Sequence, residues 1–408
     1  MTTTRRTFVA MLGAGAATLA LPPAPAEAAQ PFRVVKRFTI PRGLVGKTRK
    51  VSLAPRPAGG FAALFEFDRG ETKRPSYSRF YDARMSPIGT NVPLASTTYS
   101  GDSAGTMVVR KDGSGLAFFY GWNGSELDLW WVQRLAANGR AVGKPIRLGT
   151  GLDGDLLFAV PLADGRFMAA WRGSSSADNV GKVLLADGRV VAVNEGALCD
   201  GSLHGLAELP NGGAVAAYYG PDLKASFQRL DRSAKRVGRP IAVPSLYSFG
   251  GMTVAPHPLG FVGVWKNANA AGDPIVEGGV FSSAGARLCT FAPQRLRPSG
   301  SEDRYLNFRA VALALSDNGT LVAYASVRRP DPNGAKRYYE IVVARFAADG
   351  RLVGRQTLLS IQAETELWAY LHRPRSLIRL SDGRFLLGYD GGYEFGIQEA
   401  RAILFAPN

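Results

Sequence analysis

Seven times in 408 residues the chain writes a glycine, a short apolar run and a closing aromatic. The copies are GFAALF ending at Phe65, GLAFFY at Tyr120, GRFMAAW at Trp171, GAVAAY at Tyr218, GFVGVW at Trp265, GTLVAY at Tyr324 and GRFLLGY at Tyr389. Successive aromatics stand 55, 51, 47, 47, 59 and 65 residues apart. A period near this length means a chain of like units, since one such unit cannot bury its own apolar face. Another apolar stretch and a turn precede several of the glycines: residues 156–163 before Asp164-Gly165, 311–315 before Asp317-Asn318-Gly319, 377–380 before Asp382-Gly383. Asp-Gly and Asn-Gly between apolar runs mark hairpins, because both residues tolerate the turn's positive φ.

A second hairpin follows, as SRFYDARMSPIG from Ser78, QRLAANGRAVG from Gln133, KVLLADGRVVA from Lys182, QRLDRSAKRVG from Gln228 and ARFAADGRLVG from Ala344, with a blurred copy from Gly278. Four antiparallel strands per unit, with no amphipathic helical period, give an all-β chain and the pattern of propeller blades. The seventh unit runs out at Asn408 after its third strand. Residues 32–40, FRVVKRFTI, match the fourth-strand segments 140–148 and 351–359 and are expected to close that last blade. The expectation is a seven-bladed β-propeller; the competing architectures are an open sandwich or two smaller β domains. The unit resembles the blades of exported bacterial propellers, Gly-apolar-aromatic followed by Arg-Phe-Asp-x-x-Gly-x-x-Val-Gly. That resemblance covers nearly the whole chain and implies architecture, not an activity.

The first 28 residues read as an address. Arg5-Arg6 precedes a weakly apolar stretch to Leu21 and then Ala26-Glu27-Ala28, a small-x-small cleavage pattern. Thr4-Arg5-Arg6-Thr7-Phe8-Val9 resembles the twin-arginine export motif, which implies passage through that machinery in the folded state. Cleavage after Ala28 removes Arg5, Arg6 and Glu27, leaving residues 29–408 as a single propeller domain at +15. The expected location is the periplasm or the exterior, as a monomer without stable membrane insertion after cleavage.

Composition narrows the chemistry. Two cysteines, Cys199 and Cys289, exclude a disulfide scaffold, and the three histidines are too few for a multi-histidine metal centre or for the four-histidine iron site of carotenoid-oxygenase propellers. Ser316-Asp317-Asn318-Gly319-Thr320-Leu321 lacks the serine spacing and tryptophan of a sialidase Asp-box. Neither a Gly-x-Ser-x-Gly elbow nor a phosphate loop is present. No cofactor is expected; calcium is the one ion left open, through Asp153, Asp155 and Asp200.

Propeller ligands meet the face formed by connections into first strands and between second and third strands. The longest such segments are 291–308 and 359–375, with an insertion at 328–339. They and the loop after the last aromatic supply the candidates: His372, Tyr370 and Arg373 for proton transfer, and Arg304, Arg309, Arg375, Glu366, Asp390 and His204 for binding. Arginine forks suit carboxylates and sulfates, and His or Tyr can move a proton. With 49 Lys+Arg against 33 Asp+Glu and no aromatic-interleaved basic block, an anionic polysaccharide or cell-envelope glycan is the expected partner, not nucleic acid. The reading is a glycan-binding propeller; the alternatives are a glycan lyase or glycoside hydrolase near blades six and seven, or a protein-interaction scaffold.

Overall fold

Each Asp-Gly-Arg turn of the sequence becomes the tip of a blade hairpin. Between Leu162 and Arg166, Leu162 N–H donates to Arg166 O (2.8 Å) and Gly165 N–H to Leu162 O (2.9 Å). Gly165 sits at φ +83, where a side chain is strained. The Asp164 carboxylate accepts the Arg166 backbone N–H, and the Arg166 guanidinium folds back onto its other oxygen at 2.6 Å. Asp382 and Arg384 repeat the arrangement. Asp187 and Arg189 repeat it again.

The structure is a computed structural model. It describes residues 31–40, 47–68, 76–94, 100–122, 129–150, 157–172, 179–194, 198–222, 224–245, 252–268, 274–295, 310–328, 337–363, 367–370, 376–393 and 399–408. These form seven antiparallel sheets. Blade 1 runs Lys47–Pro55, Phe61–Asp68, Ser76–Tyr81, Pro87–Pro93, and blade 2 runs Ser100–Val109, Gly115–Trp122, Leu129–Leu135, Ala141–Thr150. Blade 3 is Leu157–Pro161, Phe167–Arg172, Asn179–Leu184, Val190–Asn194, and blade 4 is Ser202–Glu208, Ala214–Tyr219, Ala225–Leu230, Arg236–Ala242. Blade 5 comprises Met252–His257, Gly260–Ala268, Pro274–Ser282, Arg287–Arg295, and blade 6 Ala310–Ala314, Thr320–Arg328, Arg337–Phe346, Leu352–Ala363. First strands of successive blades touch all the way round, and Leu377–Arg379 of blade 7 touches those of blades 6 and 1, so the ring is closed. The chain is a seven-bladed β-propeller.

Blade 7 takes Leu377–Arg379, Phe385–Tyr393 and Glu399–Pro407 from the C-terminus and Phe32–Thr39 from the N-terminus. Phe32 pairs with Pro407 and Thr39 with Arg401. The Phe32 ring stands edge-on to Phe405 (5.5 Å) and Phe385 (6.2 Å). This strand also grips blade 6: Arg37 donates to Leu358 O at 2.7 Å, and Phe32 N–H to Gln356 Oε1 at 3.0 Å. One element departs from the sequence reading. Leu367–Tyr370, expected within a long loop, is a further strand paired to the same second strand of blade 7.

The core lies between blades. Seven apolar clusters each span one seam: Phe65 packs with Leu386 of blade 7, Trp171 with Phe118 of blade 2, Tyr324 with Val264 of blade 5. All seven repeat aromatics are buried. Tyr120 differs from the other six in direction. It faces forward to blade 3, and Phe119 takes the backward place against blade 1. On the hairpin face, His257 crosses the seam between blades 5 and 6. Its Nδ1 accepts Leu259 N–H (3.2 Å), so Nε2 carries the proton and donates to Asn318 O at 3.1 Å. Burial holds this imidazole below the usual histidine range. Both cysteines are free thiols, and burial pushes Cys199 up to about 12.

Because the closing strand fills both the last blade and the seam to blade 6, Phe32→Ala is expected to cost about 3–5 kcal/mol. Thermal unfolding of the variant should show a matching fall in Tm. An unchanged Tm would mean that the strand is not part of the folded ring.

Candidate binding face

A strand alternates its side chains, so each second strand presents odd and even residues to different neighbouring blades. Phe61, Ala63 and Phe65 face backward to blade 7, while Ala62 and Leu64 face forward to blade 2. The same alternation runs through Ala216 and Tyr218 against Ala217 and Tyr219, and through Leu387 and Tyr389 against Leu386. The residue after each backward-facing aromatic therefore turns forward, in the part of the strand nearer the connection to the third strand. In blade order these residues are Glu66, Tyr120, Arg172, Tyr219, Lys266, Ala325 and Asp390. Six of seven are polar, in a position that repetition alone fills with small or apolar residues further down the strand.

Burial makes these groups notable. Glu66 is 2% exposed, Asp390 3%, Tyr219 2% and Lys266 8%, while Arg172 is half-buried. Buried charges are costly unless paired. Lys266 has no hydrogen bond or counter-charge among the described residues, and burial alone draws its ammonium below the usual lysine range. In blade 4, His204 is bulged out of register between Leu203 and Gly205, and its ring meets Tyr219 edge-on at 5.0 Å. Behind it, Asn179 donates to Gly201 O (2.6 Å) and Cys199 O (3.3 Å), pinning the passage from blade 3 to blade 4.

Of the sequence candidates, Tyr370 and Asp390 come together as direct cross-strand partners in blade 7. Asp390 also stands opposite Ala400, whose N–H donates to Thr48 Oγ1 of blade 1 at 2.9 Å. His204 lies in blade 4, across the ring from that pair. Arg304, Arg309, Glu366, His372, Arg373 and Arg375 lie outside the described residues, as do Asp153 and Asp155. The Asp200 carboxylate is held by both terminal nitrogens of Arg236 (2.6 and 2.9 Å), which occupies oxygens a calcium ion would need. Among the described residues no group of three or more His, Cys, Asp or Glu converges on a metal-sized site. Glu66, Arg172, Tyr219 and Lys266 were not legible as candidates, although reading one residue past each repeat aromatic would have flagged them.

The opposite, hairpin face carries a cleft of about 240 Å³ between blades 4 and 5, lined by Asn211, Arg229, Asp231, Arg232, Val237 and Ser283. Its polar groups serve the turns: Asp231 accepts Ser233 and Lys235 N–H, and Arg229 reaches Ser283 O. It is a seam between hairpins.

No protein-family profile and no curated protein matches the chain. Solved propeller structures do. A protein of unknown function from Dyadobacter fermentans is similar at 14% identity and TM-score 0.51, over 93% of this chain and 100% of that one. A protein provisionally described as a 6-phosphogluconolactonase, from Bacteroides uniformis, is similar at 13% identity and TM-score 0.48, over 84% and 95%. A subtype N10 neuraminidase-like protein from a bat influenza virus follows at 12% identity and TM-score 0.39, over 92% and 99%. At these identities the likeness is one of fold.

Replacing Lys266 by Met removes a desolvated amine and keeps the chain's volume, so Lys266→Met is expected to raise stability by roughly 1 kcal/mol or more at neutral pH. The sign follows from the depressed folded pKa. The cost of the charged amine is fully present at neutral pH, and it shrinks as pH rises towards the unfolded lysine value near 10.5. Denaturant unfolding from pH 7 to 10 should show the gap between variant and wild type narrowing; a gap that widens contradicts the assignment.

Proposed function

We propose that the protein is exported and binds an anionic glycan across the connection face of its propeller. One observation carries this reading: in six of seven second strands the residue after the backward-facing aromatic is polar and mostly buried, with two cations among them. Arg172 offers a planar fork to a carboxylate or sulfate. Among the described residues Lys266 has no hydrogen-bond or charged partner, and it gains one when an anion arrives. Glu66 and Asp390 are acceptors for sugar hydroxyls, and in the sequence the candidates Arg304 and Arg309 precede the first strand of blade 6 while Glu366 and Arg375 precede that of blade 7. A protein that binds sugars through such groups pays little for ordering them, because the strands already fix them.

A second reading has a specific observation in its favour. Tyr370 stands directly opposite Asp390, and His372 and Arg373 follow Tyr370 by two and three residues. A tyrosine or histidine beside a carboxylate and an arginine is the set that a uronate lyase or a glycoside hydrolase uses: a base or acid at the reacting carbon or leaving oxygen, and a cation on the sugar carboxylate.

Titration calorimetry on the chain from residue 29 onward, against tri-galacturonate and a neutral trisaccharide, tests both. The acidic sugar should bind, the neutral one much less, and Lys266→Met and Arg172→Gln should each weaken acidic binding about tenfold. Equal affinity for both sugars ends the anionic reading. New ultraviolet absorbance from unsaturated products would move the assignment to the lyase. Export is tested separately. Changing Arg5 and Arg6 to Lys should leave full-length precursor in the cytoplasm, and N-terminal sequencing of the exported wild type should begin at Ala29. A mature chain retained inside the cell with its leader intact contradicts the address.

A further inference from the structure

The outermost strand of every blade is the one part of the ring whose sheet edge and outer face meet solvent. Those seven strands hold ten Lys+Arg and not one Asp or Glu, in a chain that has 33 acidic residues to place. Protecting a sheet edge from aggregation calls for charge, but not for charge of a single sign. The distribution around the ring is uneven as well. Outer strands of blades 1 and 3 carry none, whereas the four consecutive blades 4 to 7 carry eight.

The same strands hold seven of the eight large apolar side chains exposed among the described residues, five of them in blades 4 to 7. Val35 is 46% exposed, Leu288 49% and Val353 47%. Some of the cations are committed: Arg236 to Asp200, Arg37 to Leu358 O, and Arg287 over the Trp265 ring at 5.6 Å. Arg33, Arg239 and Arg355 are exposed and make no hydrogen bond or ion pair among the described residues. Cations set beside exposed apolar side chains, without carboxylates, form a surface complementary to a partner that alternates anionic and apolar patches.

Shape selects among such partners. A flat anionic membrane touches a convex rim over one or two blades, not four. An extended acidic peptide would need a regular strand edge. The outer pairings of blades 4, 5, 6 and 7 all contain register shifts, at Phe227/Arg229, Val280/Phe281, Arg345/Phe346 and Val34/Lys36. Bulges twist an edge away from strand addition. A flexible polymer follows the curve, and each uronic acid residue offers a carboxylate and an apolar ring face.

We propose that the outer strands of blades 4 to 7 form a docking arc for a linear acidic polysaccharide, separate from the connection face. The proposal shares its ligand chemistry with the function proposed above and adds a second, length-dependent contact. Its signature is avidity: a long chain reaches the arc while a short oligomer occupies only the connection face.

The test compares long polygalacturonate with tri-galacturonate on the chain from residue 29 onward, at low and high salt. The triple variant Arg33→Gln, Arg239→Gln, Arg355→Gln should bind the long polymer about tenfold more weakly at low salt, with the difference closing at high salt as screening removes the field. Its affinity for the trimer and its Tm should match the wild type. Wild-type affinity of the triple variant for the polymer overturns the arc, and so does equal loss for polymer and trimer. Capture of the wild type by anionic phospholipid vesicles but not by polygalacturonate overturns the choice of partner. Lys266→Met separates the two readings: it should weaken trimer binding about tenfold and keep the salt-sensitive polymer binding, whereas unchanged binding of both leaves the arc standing and removes the connection-face site.

Discussion

The ring depends on each blade burying both faces of its second strand against two different neighbours. Seven blades give seven seams, and each seam is filled by one apolar cluster drawn from two sheets. No blade has a core of its own, so no blade is stable alone, and the ring holds only when the last seam is shut. The N-terminal strand shuts it, with backbone pairing to the C-terminal strand and a phenylalanine set edge-on among two others. Stability here is a property of closure.

That same alternation places the polar groups. An aromatic that must face backward forces the next residue forward, towards the end of the strand nearer the connection to the third strand, where the seam packing still takes Tyr120 and Tyr219. Glu66, Arg172, Lys266 and Asp390 stand there, three of them buried and Arg172 half-buried, and burial draws the Lys266 ammonium below the usual lysine range. Such groups need a fixed position, and the second strand, like the third, has sheet partners on both sides.

The large positive charge separates into two populations with different physics. In the hairpin turns, arginine and aspartate come in pairs, and the guanidinium folds onto the carboxylate that shaped the turn, as at Asp164 and Arg166 or Asp382 and Arg384. Arginine holds these carboxyls below their usual range, and the pairs leave little net field. The outer strands carry no carboxylate of their own, and of their cations Arg236 reaches outside the strand to pair with Asp200. The net charge of the chain is therefore concentrated on its rim, which composition could not reveal.

The repeat, the hairpins, the blade count and the closing strand could be read from the chain because glycine turns and a period of two are local signals with local causes. The phase of Tyr120 could not, since GLAFFY ends in three aromatics and the spacing cannot say which one faces back; pairing in the folded sheet puts Phe119 there. Trp368 and Tyr370 looked like loop because their strand is four residues long and shares its partner with another. Lys266 and Glu66 gave no sign of burial along the chain, since a charge after an apolar run ordinarily meets solvent. The sequence by itself determined the architecture, because strand and turn are fixed by neighbours along the chain. Only the tertiary structure decided that these side chains are buried, that Asp390 pairs across the sheet with Tyr370, and that eight of the ten outer-strand cations fall on four consecutive blades, because each depends on residues far apart in the chain meeting across a sheet, a seam or the rim of a closed ring.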